Sequence, residues 1–178
     1  MPYAVTLPLD DAAAARVKRM WRALADQTGD DSAIRLGYSP HITLTILADT
    51  AQVGELEELT FRAARDWEPL SVTLAGVGVF PGVPPVIWAA PIATQQLLAI
   101  HASLYAALAS LPVHPQYYPT AWVPHITLSK EGQAPAAMSI EAVTSVWEGP
   151  IIARLERIEL VKFRPVETLR SEALRQKL

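Results

Sequence analysis

The five-residue sequence Pro-His-Ile-Thr-Leu occurs twice in this chain of 178 residues, at 40–44 and again at 124–128. Ile and Thr favour extended structure, so each copy predicts a strand that the chain enters through a proline. Each copy is also followed by a segment with helical periodicity. The repeat therefore predicts one strand–helix unit that is used twice, once in each half of the chain.

The spacing inside each copy determines which side chains share a face. Residues i and i+2 of a strand point to the same side, so His41 lies beside Thr43, and His125 lies beside Thr127. The Ile and Leu side chains of each copy point the other way, into a core. If the two strands lie close together, two imidazoles and two hydroxyls converge on one cleft.

This set of side chains suits the cleavage of a phosphodiester. A neutral histidine can deprotonate an attacking water, while a protonated histidine donates a proton to the departing oxygen. Threonine hydroxyls can donate hydrogen bonds to the non-bridging phosphate oxygens, where charge builds up. The sequence thus predicts His41 and His125 as a catalytic pair, and Thr43 and Thr127 as phosphate-binding residues.

Two other interpretations of the repeat are open at this point. A single His-x-Thr on a strand is common, so the repeat could be a structural strand whose histidines are merely hydrogen-bonded. Histidine is also a common metal ligand, but each copy supplies one ligand and no carboxylate, so no metal site is predicted. The chain has no cysteine, which excludes disulfides, thiolate metal sites and a cysteine nucleophile.

The charge of the chain restricts its partners. The formal net charge is −3 and the pI about 5.8, whereas proteins that bind long nucleic acids non-specifically usually carry a basic excess. A small anionic substrate is compatible with this balance, because local donors can outweigh a weak overall field.

No stretch has the length of a membrane span, and a strand-like segment rather than a signal peptide follows Met1. We therefore expect a cytoplasmic protein with no membrane partner and no cofactor, and the oligomeric state is left open.

The order of the predicted elements indicates an α+β fold. No linker or low-complexity segment divides the chain, so we expect one domain, 1–178, of two packed lobes. The predicted elements are a strand at 3–9, a helix at 10–28, a short strand at 33–36, a strand at 41–47, a helix capped by Thr50, a hairpin of 70–80 and 85–91, a helix from Thr94, a strand at 123–129, a helix at 136–147, a long strand at 151–163 and a helical or loose tail after Pro165.

Aromatic residues stand just ahead of both motifs. Tyr38 precedes the first motif and Trp122 precedes the second, and either side chain could stack on a nucleotide base. The alternative is that they close a core beneath a loop. His101 lies on the apolar stripe of a predicted helix, so we expect it to be buried and hydrogen-bonded rather than catalytic.

The tetrapeptides at 41–44 and 125–128 resemble the hallmark of the 2H phosphoesterase superfamily, in particular its bacterial 2′-5′ RNA ligase and cyclic phosphodiesterase group. Members carry two His-x-Ser/Thr-x tetrapeptides with hydrophobic x positions, in the two halves of a chain of about this length. The resemblance covers most of the chain, including the segments at 79–81 and 86–88. It implies a bilobal, pseudo-symmetric α+β fold, with two antiparallel sheets flanked by helices and a central cleft carrying both motif strands.

The same resemblance implies an activity: metal-independent hydrolysis of the 2′,3′-cyclic phosphate of a nucleotide or RNA end, with 2′-5′ RNA ligase activity in the same group. Carried over residue by residue, His41 and His125 are catalytic, and Thr43 and Thr127 bind phosphate. Lys130 lies near where members often have a basic residue, which makes it a third phosphate-binding candidate. Members that act on tRNA often look more basic, so the acidic balance here favours a small nucleotide or RNA end over long RNA. The alternative is a binding module that holds such a ligand in the same cleft without turnover.

Overall fold

The computed structural model describes residues 2–48, 52–163 and 165–175. The strands in these residues are β1 (Tyr3–Pro8), β2 (His41–Leu47), β3 (Leu70–Phe80), β4 (Val86–Pro91), β5 (Ile126–Ser129), β6 (Ile151–Leu155), β7 (Arg157–Lys162) and β8 (Glu167–Ala173). The helices are α1 (Asp11–Thr28), α2 (Ser32–Arg35), α3 (Val53–Ala64), α4 (Gln95–Ala107) and α5 (Ala136–Thr144), with a 3₁₀ turn at Pro115–Tyr117. Strands and helices alternate along the chain, which confirms the predicted α+β class.

The strands form two antiparallel four-stranded sheets. The first has the order β2-β1-β7-β8 and the second has the order β5-β4-β3-β6. We call the first sheet with α3 and α4 the first lobe, and the second sheet with α1 and α5 the second lobe. Each motif strand lies at the edge of its sheet, and β2 contacts β5 where the lobes meet. The predicted bilobal, pseudo-symmetric fold is confirmed.

The two halves of the chain exchange helices between the lobes. Helix α1 follows β1 of the first lobe but packs on β5, β6 and α5 of the second. Helix α4 follows β4 of the second lobe but packs on β2 and α3 of the first. The chain returns to the first lobe between β6 and β7. Because α1 and α4 each pack on the lobe opposite to that of the strand before them, and each sheet contains strands from both halves of the chain, the two lobes are tied together.

The ends of the main helices follow from local chemistry. The carboxylate of Asp10 accepts hydrogen bonds from the amides of Ala12 and Ala13, both 3.1 Å long, which caps α1. Gly29 ends α1 with a φ of 75°, a left-handed conformation that glycine adopts without steric cost. The hydroxyl of Thr94 accepts from the amide of Leu97 and caps α4. None of the helices in the described residues is long and apolar enough to span a bilayer.

Two predicted strands were wrong. The segment at 33–36 is the end of helix α2 and its C-cap Leu36, because the Asp30 carboxylate accepts a hydrogen bond from the Ser32 amide at 3.0 Å and turns the chain there. The segment at 151–163 is two strands in different sheets. The chain leaves the second sheet at Glu156, and β7 then joins the first sheet.

The remaining differences concern the tail and the element ends. The residues after Pro165 form strand β8 rather than a helix or a loose end, because β7 offers an edge on which they pair. Strand β5 begins at Ile126 and α5 ends at Thr144, so both are shorter than predicted. The capping role expected for Thr50 lies outside the described residues.

Candidate active site

The two motif strands place their polar and apolar side chains on opposite faces, as the spacing predicts. The His and Thr side chains are partly exposed, whereas the Ile and Leu side chains are at most 1% exposed. The buried set is Ile42, Leu44, Ile126 and Leu128. The apolar positions therefore anchor each motif in the core of its lobe and leave the polar positions free.

Both copies also contain a β-bulge at the same position of the repeat. In β2 the extra residue is Leu44, opposite the Val5–Thr6 step of β1. In β5 it is Leu128, opposite the Ile87–Trp88 step of β4. A bulge bends a strand and redirects the side chains beside it. The repeated sequence thus produces the same local bend directly after each polar His-x-Thr pair.

The motif strands border one cleft of about 630 Å³. The predicted catalytic and phosphate-binding side chains all line it: His41, Thr43, His125, Thr127 and Lys130. Much of the remaining wall is apolar or aromatic and includes Phe80, Val86, Val123 and Phe163. The structure therefore brings together two imidazoles, two hydroxyls and one ammonium in a single concave site.

The two imidazoles are held in the same way. Nδ1–H of His41 donates a 2.8 Å hydrogen bond to the carbonyl of Ser39, and Nδ1–H of His125 donates a 2.8 Å bond to the carbonyl of Val123. Because a carbonyl only accepts, Nδ1 must carry the hydrogen in both rings. Nε2 is thus the nitrogen left to accept or donate a proton in each motif.

Burial makes both imidazoles poor at holding a proton when no anion is bound. It lowers the pKa of His41 to about 4, against the smaller opposing effect of the hydrogen bond to Ser39. The charges of His125 and Lys130 lower the pKa of His41 further, and Glu159 raises it. Burial also lowers the pKa of His125. The two rings therefore titrate as a coupled pair, and an anion between them would favour protonation of one.

The other polar groups of the cleft are available to a ligand. Within the part of the chain that the structure describes, the hydroxyls of Thr43 and Thr127 have no hydrogen-bond partner, and the ammonium of Lys130 has no ion-pair partner. Three potential donors thus accompany the histidines. Among the same residues, no group of three or more histidine or carboxylate side chains is placed to hold a metal ion.

Tyr38 lies against the first histidine. Its ring centroid is 4.8 Å from that of His41, with the rings tilted at 56°. Its hydroxyl donates a 2.5 Å hydrogen bond to Glu159 and accepts one from Thr6 at 2.8 Å. Burial and the acceptor Glu159 raise the pKa of Tyr38. Tyr38 lines the cleft, and its hydroxyl is hydrogen-bonded within the protein. Base stacking by this residue stays a prediction.

Trp122 is committed to contacts within the protein. It is 9% exposed, and its ring is stacked on His101 with centroids 3.9 Å apart. Its indole N–H donates to the carbonyl of Thr43. These contacts give Trp122 a packing role, and because Trp122 also lines the cleft, base stacking by this residue stays a prediction. His101 is buried and bonded to the carbonyl of Tyr117, as expected for a histidine without catalytic function.

Several residues near the motifs gave no local signal in the sequence. Phe80 and Trp88 stack on each other and pack edge-on to His125, with ring centroids 5.1 and 6.1 Å from it. The indole of Trp21 in α1 donates to the carbonyl of Thr127. Asp30 accepts a short hydrogen bond from the hydroxyl of Ser129, directly after the second motif. These contacts join segments distant in sequence, so only the folded chain reveals them.

Comparison with known proteins identifies the family. A model of the 2′-5′ RNA ligase superfamily matches residues 9–167, which include both motifs. The chain belongs to this superfamily. The match confirms the resemblance to the bacterial group of 2H phosphoesterases that the motifs indicate.

Solved structures show the same fold. TT0787 of Thermus thermophilus is 21% identical and superimposes with a TM-score of 0.71, covering 100% of both chains. E. coli LigT complexed with NADP+ is 17% identical with a TM-score of 0.68, covering 98% of this chain and 97% of LigT. The E. coli LigT complex with 3′-AMP is 17% identical with a TM-score of 0.67, covering 99% of this chain and 100% of LigT. No functionally curated protein matches the chain in a direct sequence comparison.

Proposed function

We propose that this member of the superfamily is a metal-independent phosphodiesterase that hydrolyses the 2′,3′-cyclic phosphate of a nucleotide or RNA end. One observation carries the proposal. Two imidazoles, each with Nδ1–H fixed by a carbonyl and Nε2 available, border the same cleft as an ammonium and two hydroxyls that have no partner among the described residues. Such an arrangement supplies a base, an acid and donors for a phosphate at one place.

The proposed reaction uses both histidines at once. Nε2 of the neutral histidine takes a proton from water as the water oxygen bonds to phosphorus. The bond from phosphorus to one ribose oxygen breaks, and Nε2–H of the other histidine protonates that oxygen. The products are a phosphomonoester and a free hydroxyl, and exchange with solvent restores the two protonation states. Thr43, Thr127 and Lys130 stabilise the charge on the non-bridging oxygens.

The cleft favours a small nucleotide or RNA end as the substrate. Its volume of about 630 Å³ lies in the range of sites for small molecules, roughly 300–1,000 Å³. Its aromatic and apolar wall suits a base, and the acidic chain gives long RNA no general attraction. Structures of E. coli LigT are described as complexes with 3′-AMP and with ATP, which supports a nucleotide as the ligand of this fold. RNA processing and ligation of 2′-5′ bonds are further activities to assay.

The experiment is incubation with each of the four 2′,3′-cyclic mononucleotides and with an oligonucleotide that ends in a cyclic phosphate. Products are identified by ³¹P NMR and mass spectrometry, with and without EDTA. We expect a phosphomonoester to form at a rate that EDTA does not change, because both proton carriers are side chains. Binding of these ligands without turnover would instead indicate a binding module. Activity that is lost on chelation and restored by a divalent ion would indicate a metallo-hydrolase.

A further inference from the structure

Two tryptophans hold the two motif strands by the same contact. The indole N–H of Trp122 donates to the backbone carbonyl of Thr43 at 3.0 Å, and that of Trp21 donates to the carbonyl of Thr127 at 3.2 Å. In each motif the acceptor belongs to the residue directly before the bulge. Both indoles are buried, with exposed fractions of 7% for Trp21 and 9% for Trp122. The same point of each motif is thus fixed from outside its own sheet.

The donors are crossed between the halves of the chain. Trp122 lies in the segment that enters β5, yet it holds β2 of the first motif. Trp21 lies in α1, ahead of the first motif in sequence, yet it holds β5 of the second. Each half of the chain therefore fixes the motif strand of the other half. The Trp21 bond lies within the second lobe, to which α1 belongs, whereas the Trp122 bond connects the entry of β5 to a strand of the first lobe.

The segment before the second motif is hydrogen-bonded to β2 and the residue after it near both ends of the segment. The amide of Ala48 donates to the carbonyl of Pro112 at 3.3 Å, and the amide of His114 donates to the carbonyl of Ile46 at 2.9 Å. The indole of Trp122 makes the next connection toward the motif. The entry to the second motif is thereby built onto the strand of the first.

The Trp122 ring is itself held in place. It stacks on His101 with the two planes only 2° apart. Nε2–H of His101 donates to the carbonyl of Tyr117 at 3.1 Å, so the supporting ring is also fixed. An indole held on its face can orient the carbonyl that it binds.

The geometry points to Trp21 and Trp122 as a matched pair of positioning residues that set the placement of one motif relative to the other. This inference rests on the proposed function for its effect on rate. A bulge disrupts the ladder of hydrogen bonds at the point where each indole binds. Two proton carriers must stand on opposite sides of one phosphorus, and a misplacement of about 1 Å can lower a rate by roughly 10²-fold.

Trp21→Phe and Trp122→Phe test the inference, because phenylalanine keeps an aromatic ring and removes the N–H. Trp67→Phe is the matched control: Trp67 is 8% exposed, and its indole donates to the hydroxyl of Ser103 at 3.1 Å, away from the cleft. We expect kcat on the cyclic nucleotide to fall by about 10- to 100-fold in the two test variants, with KM changed by less than about threefold. Trp67→Phe should keep the kcat of the parent, even if its unfolding midpoint falls as much as the midpoints of the two test variants.

A second measurement is independent of turnover. In ¹H–¹⁵N spectra of the imidazoles, Trp122→Phe should shift the ring signals of His41 more than those of His125, and Trp21→Phe should do the reverse. Trp67→Phe should shift neither. If the parent cleaves no cyclic phosphate, the proposed function is wrong. The crossed pattern of imidazole shifts would still show whether each tryptophan positions the motif strand that it binds. Either test variant suffices if the other fails to fold.

Two results would overturn the inference. One is a kcat in Trp21→Phe and Trp122→Phe that matches the kcat of Trp67→Phe. The other is an imidazole shift pattern that is equal for both histidines or absent.

Discussion

The two copies of the pentapeptide are identical in sequence but lie in different surroundings. The ring of His41 packs against Tyr38, whose hydroxyl is bonded to the carboxylate of Glu159. The ring of His125 packs against Phe80 and Trp88. His41 thus lies near a phenol and a carboxylate, and His125 lies against two aromatic rings. Different environments suit a pair that holds opposite protonation states during the proposed reaction.

The hydroxyls of the motif threonines can be tested without changing the shape of the site. Thr43→Val and Thr127→Val remove one donor each and keep the branched side chain that the strand favours. We expect kcat to fall by roughly 10- to 1000-fold in each variant, the usual loss when a donor to a transition-state oxygen is removed. Thr43→Ser and Thr127→Ser keep the hydroxyl and serve as controls, with kcat near that of the parent. Equal activity in the valine and serine variants would exclude a role for these hydroxyls.

At the scale of elements, the sequence predicted what depends on local pattern. The alternation in the motifs, the helices predicted from Asp10 and from Thr94, and the hairpin of β3 and β4 all follow from short-range periodicity and turn chemistry. Strand β8 could not be predicted, because its sequence is polar and it is extended only through pairing with β7.

The candidate site divides in the same way. The repeat itself marks the histidines and threonines, and Lys130 was marked by the resemblance. Trp21 bonds to the second motif from a distant element, and Asp30 and Glu159 bond to residues that flank the motifs. The bulges at Leu44 and Leu128 could not be predicted from the sequence either, because a bulge is defined only by the pairing with a partner strand. Contacts of this kind require the folded chain.

The hairpin of β3 and β4 gives a prediction at this scale. A Cβ added at Gly78 would lie 2.2 Å from the ring of Trp88, which stacks on Phe80 beside His125. Gly78→Ala should therefore lower the free energy of unfolding by about 1–3 kcal/mol, the usual cost of overpacking. Gly76→Ala is the matched control in the same strand, because an added Cβ meets no atom within 4 Å there. Urea unfolding measures both variants, and equal stability of the two would contradict this account of the packing.

At the scale of the whole molecule, the cleft is formed by the meeting of two sheet edges. Strands β2 and β5 contact each other at these edges, and the exchanged helices tie the lobes together. Most polar groups of the site are therefore partly withdrawn from water. This burial is the main cause of the lowered pKa values of His41 and His125, and it lowers the pKa of His101 in the core as well.

These lowered pKa values predict how stability depends on pH. Between the ordinary histidine pKa of about 6.5 and the value of about 4 for His41, the unfolded chain binds protons that the folded chain does not. The free energy of unfolding should therefore fall as the pH is lowered through this window, and be largest above it. Urea unfolding at about pH 7 and about pH 5 measures the effect, and His41→Ala should make the dependence shallower. Stability that rises on acidification would contradict the burial of these rings.

The most direct test of the central claim is the turnover number on a 2′,3′-cyclic nucleotide for the parent, His41→Ala, His125→Ala, the double variant and His114→Ala. Loss of either motif histidine should lower kcat by roughly 10²–10⁴-fold, the usual contribution of a positioned proton carrier. The double variant should lose much less than the product of the single losses, because the two residues act as a unit. His114 is exposed and does not line the cleft, so His114→Ala should keep the turnover of the parent. A folded His41→Ala or His125→Ala that retains near-parental kcat would contradict acid–base catalysis by this pair.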